Sequence, residues 1–152
     1  MSTTGRNAAH PRSLLRTAAL LVGATFLLVG LLGFIPGITT DYGDMSAAGH
    51  ESMAKLLGVF QVSILHNLVH ILFGIAGIVM SRTNENSRLY LIGGGVIYLV
   101  LWLYGLVIDK TSDANFVPVN TADDWLHFFL GVGMIGLGVA LSRNLRTART
   151  NH

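Results

Sequence analysis

Four apolar blocks, none with a formal charge, leave this chain few ways to fold. They run over Thr17–Ile35, Leu56–Met80, Leu89–Ile108 and Trp125–Leu141, and are 19, 25, 20 and 17 residues long. An α-helix rises 1.5 Å per residue, so about 20 residues cross a hydrocarbon core roughly 30 Å thick. Each block can therefore span a bilayer, the fourth with Asp124 or Ser142 in the headgroup zone. The expected fold is all-α, a transmembrane four-helix bundle. It forms a single membrane domain over residues 1–152, with helices at about 17–35, 56–80, 89–108 and 125–141 and short tails at 1–16 and 142–152.

Composition agrees. Hydrophobic residues make up 51% of the chain and charged residues 12%, against about 25% charged in an ordinary soluble domain. Too few charges remain to coat a soluble globule, and a chain this hydrophobic is not disordered. The absence of cysteine removes disulfides, thiolate metal sites and a catalytic thiol. The first block exceeds the 7–15 residues or so of a signal-peptide core, so a retained helix is expected, stopped by Pro36 and Gly37.

Charge placement orients the bundle. Arg6, Arg12, Arg16, Arg82, Arg88, Arg143, Arg146 and Arg149 fall on one side of a four-span topology, and only Lys55 and Lys110 on the other. Short loops rich in Lys and Arg stay cytoplasmic. The expected location is the cytoplasmic membrane, with both termini inside. Seven of the eight acids lie in the two outer loops, and the net charge of +2 averages two opposite faces. The arginines sit at helix ends, where topology accounts for them. The partner they imply is the lipid bilayer, not a nucleic acid.

The second block carries the polar residues. On a helical wheel Ser63, His66, Asn67, His70, Gly74 and Gly77 share an arc of about 100°, one helix face. Gln61 lies outside it. By depth, Tyr98 and Trp102 of the third block are the natural neighbours. The Tyr98 hydroxyl would bond His70 or Asn67, Trp102 would lie against His66, and Thr25 would join from the first helix. One reading is a satisfied polar core that fixes helix register. The other is a binding site for haem, metal, quinone or protons, with His66 and His70 as cofactor-binding residues. Histidines at i and i+4 have metal-ligand spacing, as in HExxH, although HNLVH lacks the glutamate base. His127, placed near the outer surface, is expected about 10 Å or more from the level of His66. Met134 is nearer the depth required for His/Met ligation of haem.

A second, outer-side cluster gathers His50, Glu51, Asp109, Asp123 and His127, with Asp41, Asp44, Asp113 and Asp124 nearby. Carboxylates with imidazoles can bind a divalent ion, but the spacing matches no compact motif and leaves the metal unknown. The alternative is a solvated acidic surface with Thr121 or Asp123 as N-cap of the fourth helix. Gly131, Gly133 and Gly136 spell GxGxxG, but no strand precedes them, so close helix packing replaces the dinucleotide reading. Gly93-Gly94-Gly95 permits a kink, a tight crossing or space for a lipid or ring cofactor.

The stretches GHESMAKLLGVFQVSILHNLVHILFGIAG (residues 49–77), YLVLWLYGLVID (98–109) and NFVPVNTADDWLHFFLG (115–131) resemble a domain-of-unknown-function family of small four-helix integral membrane proteins common in actinobacteria. The resemblance covers about residues 16–141. It implies a four-span fold and supplies no activity.

Three function classes follow. The first is a multi-pass, non-catalytic membrane protein that binds lipid or a protein partner, including a second copy of itself. It needs no cofactor. The second is a haem- or quinone-binding redox protein using the His66/His70 face. The third is a small transporter or proton-conducting protein using the same face. No intramembrane carboxylate offers itself for coupled transport. No nucleophile–base–orienter set marks an enzyme, so no catalytic residue is assigned.

Overall fold

The computed structural model describes residues 12–150, with side chains through Asn144. Arg6, and the side chains of Arg146 and Arg149, lie outside the described residues. Four helices carry the fold: α1 Leu14–Leu32, α2 Ile64–Met80, α3 Asn84–Val107 and α4 Thr121–Thr150. The fold is all-α apart from a small three-stranded antiparallel sheet, β1 Thr39–Thr40, β2 Lys55–Leu56 and β3 Phe60–Gln61, in that order.

Local chemistry sets the helix ends. The Ser13 hydroxyl accepts from Arg16 N to cap α1, Ser63 accepts from His66 N at 3.1 Å to cap α2, and Thr83 accepts from Asn86 N to cap α3. Each supplies a partner to an otherwise orphaned N–H. α1 stops at Leu32, with Gly33 as its C-cap, a few residues before the expected Pro36–Gly37 stop. The connection left between the second and third expected helices, residues 81–88, shrinks to Ser81–Thr83, because Thr83 caps a helix that begins at Asn84. At this turn the Arg16 guanidinium bonds the Ser81 carbonyl and the Ser13 hydroxyl bonds the Asn84 side chain.

The largest departure from expectation is the start of α2. Residues 56–63 are not helical. Leu56 belongs to β2, Leu57 and Gly58 turn the chain with φ of 53° and 72°, and Phe60–Gln61 pair back in register (Leu56 with Phe60, Lys55 with Gln61). A short apolar run does not by itself separate strand from helix. Gly58 permits the left-handed turn, and Ser63 begins the helix. Ala54, Leu56 and Val62 form a small core beneath this sheet, packed against Val29, Leu32, Ile38, Met45 and Phe60.

α1 packs along α2 and α3 along α4, while α2 and α3 meet only briefly. Glycines make the two tight crossings possible. A Cβ on Gly23 would stand 2.8 Å from Gly77 C, and one on Gly74 would stand 2.3 Å from Leu27 N. Gly95 meets Gly131 and Ile135 in the other pair, and Gly94 accommodates Phe73 and Met134. The triple glycine thus serves a tight crossing, with Gly93 facing nothing closer than 3.8 Å. Gly133 and Gly136, expected at a close contact, face open space.

Among the described residues, three helical segments are long and apolar enough to cross a membrane: α1, α3 and residues Thr121–Asn144 of α4. α2 is apolar but shorter, at 17 residues. Burial differs from that of a soluble protein in its surface and in its buried polar residues. Leu21, Leu28, Leu72, Leu103 and Phe129 are exposed, whereas Ser63, His66, Asn67, His70, Asp123, Asp124 and His127 are buried. Such a surface suits lipid.

Candidate metal centre

Because α2 begins at Ile64, His66 lies in its first turn rather than ten residues down a longer helix. His127 lies in the second turn of α4. The two helices start at the same end of the bundle, so His127 is level with His66 and His70. The expected separation of about 10 Å by rise is corrected: one nitrogen from each of the three rings lies within 4.8 Å of the other two.

All three are buried, at 3%, 8% and 4% exposure for His66, His70 and His127. The His66 and His70 rings meet edge to face at 4.6 Å between centroids. Tyr98 lies edge-on to His127 at 5.2 Å, and Phe26 edge-on to His70 at 5.7 Å. Nδ1 of each histidine is buried without a hydrogen-bond partner among the described residues. Buried polar atoms normally find partners, so an orphaned nitrogen on each of three neighbouring rings calls for an explanation. The backbone carbonyls of Pro118 and Gln61 lie beside the His66 ring, where they could orient a ligating histidine through its second nitrogen.

Two cavities flank the cluster. One of about 210 Å³ lies beneath the sheet, lined by Leu56, Phe60, Val62, Asp123, Leu126 and the three histidines. The other, of about 120 Å³, lies between α2 and α3, with Val69, Tyr98, Leu101, Tyr104 and Phe116 beside the same histidines.

A family model described as a domain of unknown function, DUF4383, matches residues 16–150. The chain belongs to this family. No curated protein and no solved structure matches it. A DUF4383 chain therefore has to be read from its own geometry.

That geometry redistributes the residues singled out in the sequence. Ser63 is the cap of α2, and Asn67 lies under Gly33, with its Nδ2 3.9 Å from Met45 Sδ. Tyr98 packs on Phe26 and His127, and no hydrogen bond joins its hydroxyl to His70 or Asn67 among the described residues. Trp102 lies against Phe128 at 4.8 Å rather than against His66, because α3 pairs with α4. Thr25 is exposed and bonds the Leu21 carbonyl of its own helix.

The outer cluster divides: Asp123 and His127 line the cavity beneath the sheet, while His50, Glu51 and Asp109 do not. Glu51 and Asp109 are exposed and His50 is half-buried. Asp109 Oδ1 accepts from Thr111 N at 2.9 Å and from the Thr111 hydroxyl at 2.7 Å, which together hold its carboxyl below the ordinary value. Asp123 and Asp124 are both 2% exposed, not solvated. The N-cap of α4 is Asn120, not Thr121 or Asp123: Asn120 Oδ1 accepts from Asp123 N at 3.0 Å, and Asp123 Oδ2 accepts from Asn120 N at 2.9 Å. Asp123 Oδ2 also accepts from Gln61 N at 3.0 Å, fastening the sheet to α4. Lys110 Nζ bonds Asp124 Oδ2 at 2.6 Å and the Gly105 carbonyl at 2.9 Å.

Sequence reasoning missed Asn115, whose side chain bonds both Val119 N and the Lys110 carbonyl and so shapes the loop over the histidines. An Asn four residues before a loop N–H gives no distinctive signal.

Proposed function

We propose that this membrane protein holds one divalent transition-metal ion through His66, His70 and His127. The observation that carries the reading is the convergence of three buried imidazoles within 4.8 Å. A tetrahedral ion with metal–nitrogen bonds of about 2.0–2.1 Å wants donors roughly 3.3 Å apart. Ring rotations that close the spacing from within 4.8 Å to about 3.3 Å would complete the site. Imidazole suits zinc, copper, iron and nickel, and three histidines leave a fourth position open.

A purely structural polar core explains the cluster less well. Polar groups retained for helix register bond to one another, and these Nδ1 atoms do not. Haem fits less well too. The His66 and His70 rings meet edge to face on one helix at 4.6 Å, with no slot for a macrocycle between them.

The arginine asymmetry supports a cytoplasmic location for both termini, in the cytoplasmic membrane. The metal would then lie near the outer face. Tags at either terminus should stay inaccessible from outside intact cells.

The decisive experiment is metal loading of detergent-purified protein. One zinc or cobalt per chain is expected, with the cobalt spectrum of a tetrahedral nitrogen site, and with loss of both in a His66→Ala/His127→Ala variant. Protein that retains no metal after exposure to zinc, copper, nickel and cobalt would overturn the reading.

A further inference from the structure

The 120 Å³ cavity is walled on the α3 side by Tyr98, Leu101 and Tyr104, on the α2 side by Val69, and at its outer edge by Phe116, Val117 and Val119. His66, His70 and His127 supply its polar floor. Val69, Leu101, Tyr104 and Phe116 are each more than a third exposed, so they form a rim. This mouth lies between α2 and α3, the adjacent pair that scarcely touches. Its rim joins exposed apolar residues of α2 and α3 to Phe116 of the following loop, a surface that suits lipid.

Three features define what would enter. The walls are apolar, with rings supplied by Tyr98, Tyr104 and Phe116, which disfavours polar metabolites. The volume is close to that of the roughly 150 Å³ cavity known to admit benzene, so it accepts one six-membered ring. The floor is made of three histidines, each more than nine-tenths buried, whose Nδ1 atoms have no hydrogen-bond partner among the described residues. A ligand must bring a polar atom to satisfy them, directly or at the open position of an ion they hold.

We infer that the gap between α2 and α3 is a lateral portal through which a lipid-soluble, single-ring molecule bearing a ring oxygen, of the phenol or quinol class, reaches the three histidines from the bilayer. The ring would lie among Tyr98, Tyr104 and Phe116, its oxygen would face the histidines, and any alkyl tail would leave through the mouth. The inference deepens the metal reading, but the cavity and its floor exist whether or not an ion binds.

The test uses the full chain in lipid nanodiscs with 4-propylphenol as probe. Propylbenzene lacks the oxygen, and 4-hydroxybenzenesulfonate cannot partition into lipid. The cobalt-loaded protein should change its visible spectrum with 4-propylphenol and with neither control. Leu101→Trp fills the mouth without removing a histidine. It should weaken 4-propylphenol binding at least tenfold while cobalt loading and the unfolding midpoint stay as in the parent. An unchanged cobalt spectrum at saturating probe, or full binding by Leu101→Trp, would overturn the portal. If cobalt does not load, the metal reading fails by itself. Calorimetry of 4-propylphenol on metal-free protein then decides: binding lost in Leu101→Trp upholds the portal, and absence of binding overturns it.

Discussion

The Asn67 side chain occupies the space that a Cβ on Gly33 would need. That Cβ would stand 2.1 Å from Asn67 Oδ1, far inside any tolerable contact. Asn67 is fully buried one residue from His66, so the end of α1 and the first turn of α2 are locked together at the histidines. Gly33→Ala should therefore destabilise the protein by roughly 1–3 kcal/mol, the usual cost of overpacking. Gly133 faces open space, so Gly133→Ala should stabilise α4 by about 0.5–1 kcal/mol. Unfolding midpoints in detergent should move in opposite directions, and a matching fall in both would refute the assignment.

Lys110 and Asp124 bridge the loop end of α3 to the first turn of α4. Asp124 is 2% exposed and its Oδ1 has no partner among the described residues, so Lys110 supplies the main compensation for its charge. Lys110→Met leaves a buried carboxylate alone. Breaking a fully buried pair costs about 3–5 kcal/mol, and the 30% exposure of the lysine side chain places the effect at or below the low end. Lys110→Met/Asp124→Asn should recover part of the loss, because a neutral amide is less costly to bury. A double variant no more stable than the single lysine variant would refute the pairing.

The four helices are legible in sequence because length and hydropathy govern them. The buried face of α2 is legible too, because His66, Asn67, His70, Gly74 and Gly77 follow the helical period. The three-histidine convergence is not. It depends on Lys55–Gln61 forming a hairpin instead of helix, which shortens α2 and raises His66 to the level of His127. Gly58 and Ser63 are the only local signals of that change, and both are compatible with a long apolar helix. The burial of Asp123 and Asp124 is equally hidden. Their partners Gln61 and Lys110 are distant in sequence, and charge pattern alone reads them as solvated.

Asp109 offers a pH test outside the membrane-spanning segments. The Thr111 N–H, and next its hydroxyl, favour the ionised carboxylate and depress its pKa. The sign follows. A depressed folded-state value contributes stability above the unfolded pKa, and that contribution is lost as pH falls through the folded value. The group is fully exposed to solvent, so the effect belongs in its titration rather than in global stability. Thr111→Val removes the hydroxyl donor and keeps the N–H. The Asp109 carboxyl carbon, followed by NMR, should titrate at higher pH in the variant than in the parent. An unchanged midpoint would show that the hydroxyl bond contributes nothing.

Metal binding, if His127 completes the site, should couple to stability through one residue on α4. His66 and His70 belong to α2 and stay near each other through their own helix. His127 comes from the α3–α4 pair, so an ion bound by all three ties the two helix pairs together at the loop end. A ligand that binds only the folded protein adds about 2.7 kcal/mol at one hundred times its dissociation constant. Zinc should raise the parent's unfolding midpoint, and the rise should shrink at acidic pH, where ligand imidazoles must give up protons to bind. His127→Ala should abolish the zinc-dependent rise while leaving the α1–α2 contacts intact. Cross-linking across α2 and α4 should strengthen with zinc in the parent and not in the variant. A zinc-dependent rise that survives in His127→Ala would place the ion elsewhere and remove α4 from the site.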